Sequence, residues 1–138
     1  MTMLDLLDAL AELLSGQQAD GLGPVPVEKY RRLDRAAGPV VYLTPLAQQE
    51  APVAVGGQFD QTYSLHLRCE VPWTRSTQAD GDLLLRLVER VLDILEAHRE
   101  VGQARRGRVG KVVYRYEQRR DGSSAFVALI PVEFTADQ

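Results

Sequence analysis

The dipeptide Asp121-Gly122 lies between two runs of strand-forming residues, KVVYRYEQRR before it and SSAFVALIPVEF after it. Asp-Gly in that setting is the signature of a type I′ turn, whose two central residues both take positive φ. The chain is therefore predicted to close in a β-hairpin, and a two-residue loop fixes its register. Arg120 falls opposite Ser123, Tyr116 opposite Val127 and Tyr114 opposite Leu129. One face then carries Val112, Tyr114, Tyr116, Val127 and Leu129; the other carries Val109, Val113, Phe126, Ala128, Ile130, Val132 and Phe134. Both faces are largely apolar, so helices can cover one and the second needs another cover. That cover is either a partner or, in cis, the N-terminal helix or a long loop. Pro131 cannot donate to a ladder and marks an edge or a bulge.

The remaining elements follow from periodicity. In residues 3–15, Met3, Leu6, Leu7, Leu10, Leu13 and Leu14 recur at helical spacing, with Asp5, Asp8 and Glu12 between them. Thr2 and Asp5 form a capping-box pattern, and Gly16 is a stop. Gly and Pro break every period in residues 16–26, and the run PVVYL is a short strand ended by Pro45. Residues 45–58 read as a second, partly mobile loop. Residues 62–71, TYSLHLRCEV, alternate: Tyr63, Leu65, Leu67, Cys69 and Val71 point one way, and Ser64, His66, Arg68 and Glu70 the other, wet way. Leu83, Leu84, Leu87, Val88, Val91, Leu92 and Leu95 form an apolar stripe on a helix over 81–99, capped by Asp80, with Arg86–Glu89 and Arg90–Asp93 as surface pairs. Residues 100–108, EVGQARRGR, read as a flexible basic connection. The expectation is a single α+β domain over residues 1–138 in the order α-β-β-α-β-β. Its sheet is mainly antiparallel and four-stranded, with two helices packed on one face.

Chemistry is sparse. The chain has 138 residues, 45% of them hydrophobic, enough for one core without staples. The formal net charge of −3 gives no overall attraction to nucleic acid or an acidic membrane. The one cysteine, Cys69, sits on an apolar strand face, where a buried, inert thiol is expected. No apolar run approaches bilayer length, and the N-terminus lacks the basic start of a signal peptide. GxGxxG, P-loop, HExxH and GxSxG patterns do not occur. His66 and His98 read as surface residues, Asp80-Gly81-Asp82 as a helix opening rather than a metal site, and Trp73 as a core anchor. No catalytic residue, cofactor or metal is expected, and no enzymatic activity. The one local charge bias runs from Arg99 through Arg105, Arg106, Arg108, Lys111 and Arg115 to Arg120. It reads either as a surface for phosphates or as a solvated patch that salt-bridges an acidic neighbour. Alternation places Tyr114 and Tyr116 on the face opposite Arg115, against a stacking platform among those cations.

The layout MLDLLDALAELL, PVVYL, QTYSLHLRCEV, DGDLLLRLVERVLDIL and VVYRYEQRRDGSSAFVALIPVEF resembles, in order and spacing over nearly the whole chain, the tail terminator (tail completion) proteins of long-tailed bacteriophages. The resemblance implies a structural virion protein, made in the bacterial cytoplasm and located at the tail and neck. Such proteins form a homohexameric ring on the finished tail tube, stop its growth and meet the head-completion (stopper) protein of the neck. DNA passes through such a ring without specific binding, and no membrane is involved. A ring closes through unlike patches, which suits complementary charges. The expected contact residues are Asp5, Asp8 and Glu12 on one side and Arg105, Arg106, Arg108, Val113, Arg115 and Ile130 on the other. The alternatives are another neck or tail-completion component, a small ferredoxin-like enzyme or ligand-binding domain, and a basic-loop nucleic-acid binder.

Overall fold

A computed structural model of the chain describes residues 1–16, 22–31, 38–52, 59–74, 77–118 and 121–137. The elements are α1 (Met3–Gly16), β1 (Val27–Lys29), β2 (Val40–Pro52), β3 (Phe59–Pro72), α2 (Thr77–Ala97), β4 (Glu100–Val101), β5 (Ala104–Val109), β6 (Val113–Gln118) and β7 (Ser124–Asp137). The expected four-stranded antiparallel sheet is overturned. The sheet is mixed and seven-stranded, in the order β1-β2-β3-β7-β5-β4 with β6 also on β7, and it curls into a half-barrel with two helices.

Three strands were missing from the expectation, each for a local reason. β1 is only three residues long and lies in a Gly/Pro stretch; it pairs in parallel with β2, Val27 beside Val41. β4 and β5 form a hairpin in the segment expected to be a basic connection. Val101 pairs with Ala104, which leaves Gly102 (φ 60°) and Gln103 as a two-residue turn. Arg105 and Arg108, which suggested a loop, are solvated side chains of a strand near the sheet's edge, while Arg106 is largely buried on the helix side. β2 also runs past Pro45 to Pro52, with a register shift between Pro45 and Ala47 that absorbs the proline. Residues 45–52 are thus strand; residues 53–58 of the expected loop lie outside the described residues.

The closing hairpin exists, but its register is one residue away from the expected one. Tyr116 pairs with Phe126, Tyr114 with Ala128 and Val113 with Leu129. The last pair is Gln118 with Ser124, so five residues instead of two separate the paired ends. Asp121 Oδ1 accepts from the Ser123 N–H at 2.8 Å and the Ser123 hydroxyl at 2.6 Å. Asp121 thus folds back on its own turn. Because strand side chains alternate, a one-residue slip moves each of them to the other face. Tyr114 and Tyr116 join Phe126 on the helix side, and Val113 moves to the far side.

Pro131 lies inside β7. Gly110 N–H donates to Pro131 O at 2.8 Å, and a Cβ on Gly110 would approach Pro131 Cγ to 2.8 Å. In an antiparallel strand the N–H and C=O of a residue point to the same neighbour. The missing Pro131 N–H therefore falls in the break between β5 and β6, where no ladder bond is lost.

The core lies under the helices. β3 contributes Tyr63, Leu65, Leu67, Cys69 and Val71, each paired with Phe134, Val132, Ile130, Ala128 or Phe126 of β7. α1 lowers Leu6, Leu7, Leu10 and Leu14 onto that layer, and α2 lowers Leu84, Leu87, Val88, Val91, Ile94 and Leu95. Full burial of such a side chain stabilises by about 1.5–3 kcal/mol. At the α1 start, Thr2 N–H donates to Asp5 Oδ2 at 2.8 Å and Asp5 N–H to Thr2 Oγ1 at 3.1 Å, a reciprocal capping box. α2 begins at Thr77, so Asp80 is inside its first turn and not its cap. The Asp80 carboxylate instead accepts the Thr74 N–H at 2.7 Å and the Thr74 hydroxyl at 3.0 Å, tying β3 to α2.

Candidate assembly surface

The sheet face turned away from the helices is not wet throughout. Val40, Tyr42, Ala125 and Val127 are buried on it, and so are the charged Arg68 and Glu70. Neighbouring pairs place Tyr42 beside Arg68, Arg68 beside Leu129, and Glu70 beside Val127. Arg68 donates from Nη2 to Glu70 Oε1 at 3.1 Å and also to Glu117 on β6, across β7. Arg31, just past β1, donates to Glu117 Oε2 at 3.3 Å. Strands β1 and β6 stand four positions apart in the sheet, about 19 Å if it were flat. An arginine can join them only because the sheet curls. The curl answers the need for a second cover partly in cis.

The charges in this cluster set each other. The Arg68 hydrogen bond holds the Glu117 carboxyl below its ordinary range, opposed by partial burial and helped by Arg31 and Arg115. His66, in the same face, is held below its usual value by burial and by Arg115. Burial pushes the Cys69 thiol up to about 12. Among the described residues, no group of three or more His, Cys, Asp or Glu could hold a metal ion, and no helix is long and apolar enough to cross a membrane.

Four of the sequence-predicted contact residues come together. Arg105 pairs with Thr135, Arg115 with Val127 and Val113 with Leu129, all on the face away from the helices. Arg108 lies on the same side, in a shallow groove of about 280 Å³ with Leu46, Ser64, Pro131 and Glu133. Arg105, Arg108 and Arg115 are exposed, and Val113 is 40% exposed.

The other five are placed elsewhere. Arg106 pairs with Phe134 and turns to the helix side, where Nη1 lies 3.5 Å from Glu96. Ile130 is fully buried in the core and presents no surface. Asp5 is engaged in its capping box. Asp8 accepts from Lys29 Nζ at 2.6 Å. Glu12 is exposed on α1, away from the basic group's face.

The larger acidic surface is on α2. Its outward side carries Asp82, Leu85, Arg86, Glu89, Asp93 and Glu96, all exposed. The helical period that marks the buried stripe also marks this one. It was missed because the carboxylates were read as partners of Arg86 and Arg90. Arg90 instead turns inward, is 6% exposed, and donates from Nη2 to Gly23 O at 2.9 Å.

The β6 edge is also apolar. Tyr114 and Tyr116 are exposed, and Trp73 is 39% exposed rather than a buried anchor. Trp73 meets Tyr116 edge-on with centroids 5.3 Å apart, and Tyr116 meets Phe126 at 5.7 Å.

A chain of the virion of a native gene transfer agent particle is similar to this one, at 14% identity and TM-score 0.46, over 91% of this chain and 83% of that one. At that TM-score the likeness carries no argument about function. No family model and no curated protein matches the chain.

Proposed function

We propose that this chain is a non-catalytic structural subunit of a phage-like virion, a tail terminator that caps the tail tube as a ring. Its partners are further copies of itself, the tube protein and the stopper protein of the neck, with DNA passing through. The observation that carries the reading is the β6 edge, which among the described residues pairs with β7 alone and shows Val113 on one side and Tyr114, Tyr116 and Trp73 on the other. An edge strand with apolar groups on both sides is a surface for another protein, since exposed edges are otherwise blunted or covered. The order of elements supports the same reading. The leading helix, the long alternating strand, the second helix and the closing hairpin keep the order of the segments that carry the resemblance to tail terminators, with β1, β4 and β5 added to it.

The direct test adds the purified chain to polymerising tail-tube protein and measures tube length by negative-stain microscopy. A terminator fixes tube length and leaves a ring at one end. Tubes that grow to the same length with and without the chain contradict the reading.

A further inference from the structure

We infer that copies of this chain join head to tail through unlike faces. The basic edge of the sheet in one copy, with Arg105, Arg108 and Arg115, seats against the acidic outer side of α2, with Asp82, Glu89 and Asp93, in the next. The inference rests on the ring reading above and names its subunit contact.

Three observations support it. The first is charge. Three exposed guanidinium groups share one face of β5 and β6, with Glu133 as the exposed carboxylate among them, and the outward side of α2 carries exposed carboxylates with Arg86 as the cation among them. A twofold dimer through either surface would set like charges against like, whereas contact between the two surfaces pairs opposites.

The second is position. α2 covers the sheet face that holds Leu67 and Ile130, while Arg105 and Arg115 belong to the other face. Surfaces on opposite sides of one molecule cannot satisfy each other in cis. Repeated contact between them propagates in one direction, and it closes into a ring if the rotation allows.

The third is composition. Each charged surface has an exposed apolar residue within it: Val113 at 40% exposed on the sheet and Leu85 at 50% on the helix. An apolar centre inside a charged rim is the usual anatomy of a protein interface.

Phosphates are the rival occupant of the basic edge. Tyr114 and Tyr116 lie on the side opposite Arg115, so the cations have no stacking partners beside them. The acidic counterpart, by contrast, is present in every copy of the chain.

The test uses two full-length variants. One carries Arg105→Glu, Arg108→Glu and Arg115→Glu; the other carries Asp82→Lys, Glu89→Lys and Asp93→Lys. Circular dichroism verifies that both are folded, as expected for exposed positions, and light scattering after size exclusion reads the mass. Each variant alone should need at least tenfold more protein than wild type to assemble. An equimolar mixture should recover assembly, because the reversed sheet edge of the first now meets the reversed helix of the second. A wild type that assembles alongside variants that assemble equally well overturns this contact and leaves the ring reading standing. So does a folded pair whose mixture stays monomeric. Loss of DNA affinity in the first variant, with a shallower salt dependence and no rescue on mixing, assigns the basic edge to phosphates and overturns the contact. A wild type that is monomeric at every concentration also overturns it, while the ring reading is then judged separately by tube capping.

Discussion

Arg68 on β3 and Glu117 on β6 are joined across the intervening β7, on the face of the sheet that neither helix covers. Glu70 holds the other side of the same guanidinium at 3.1 Å. The arrangement is a buried cation between two carboxylates, with Arg31 drawing the far edge of the sheet onto Glu117.

Removing the Glu117 charge should therefore loosen the curl. Glu117→Gln leaves Arg68 with one carboxylate instead of two. The expected loss is about 1–3 kcal/mol, toward the lower end because Glu117 is partly exposed and Glu70 remains. Urea unfolding at neutral pH measures it. The sign with pH follows from the lowered carboxyl. Glu117 contributes its full stabilisation above its ordinary value of 4.5 and loses it as pH falls through the lower folded value. Wild type should lose more stability than Glu117→Gln between pH 5 and the acid limit. Identical acid profiles would contradict the assigned role.

Val113→Asp tests the exposed side of the closing hairpin. On the register expected from the Asp-Gly turn, Val113 shares a face with Ile130, where a charge unfolds the chain if that face is core and damages assembly alone if it is an interface. On the observed register Val113 opposes Leu129 and is 40% exposed. The variant should keep its circular dichroism spectrum and change stability by no more than about 1 kcal/mol, while losing assembly. An unfolded Val113→Asp chain would contradict the observed register.

Asp80→Ala removes the acceptor for the Thr74 N–H and hydroxyl. The expected cost is about 1–2 kcal/mol, as for loss of a helix-terminal side-chain bond. Thermal unfolding should show a lowered Tm, and Asp80→Asn should recover part of it because an amide oxygen can still accept.

Cys69 is fully buried, with its thiol pushed up to about 12. Thiolate is the reactive form, so an aromatic disulfide reagent at pH 8 should leave the folded chain unmodified and react once denaturant is added. Stoichiometric labelling of the folded protein would contradict the burial.

Much of this architecture is legible from periodicity, and the failures have a common cause. α1 is legible because Leu6, Leu7, Leu10 and Leu14 mark one stripe and the Thr2–Asp5 box marks its start. β3 is legible because Tyr63 through Val71 alternate. The same alternation misplaces Arg68 and Glu70 in water, since it reports which face a side chain occupies and not that the sheet curls over that face. Periodicity fails too for β1 and β4, which are too short to show a period. Pro45 looked like a strand end because sequence alone does not show that a bulge will absorb it. The hairpin shows the narrowest miss: Asp121-Gly122 correctly marks a turn, but Asp121 bonds back to Ser123, and the register shifts by one. Among the candidate contact residues, alternation was enough to put Arg115 and Tyr114 on opposite sides. It did not reveal that Asp8 is engaged within the chain, because its Lys29 partner comes from β1, which the sequence did not show, whereas the Thr2–Asp5 box already implied that Asp5 is.

The role proposed for this chain is assembly into a ring on a tail tube. The most direct measurement is its mass by size exclusion with light scattering across a concentration series, with negative-stain imaging of any large species and of added tubes. The account predicts a closed ring, either free in solution or formed at tube ends. A strict monomer or closed dimer that never caps tubes would contradict it.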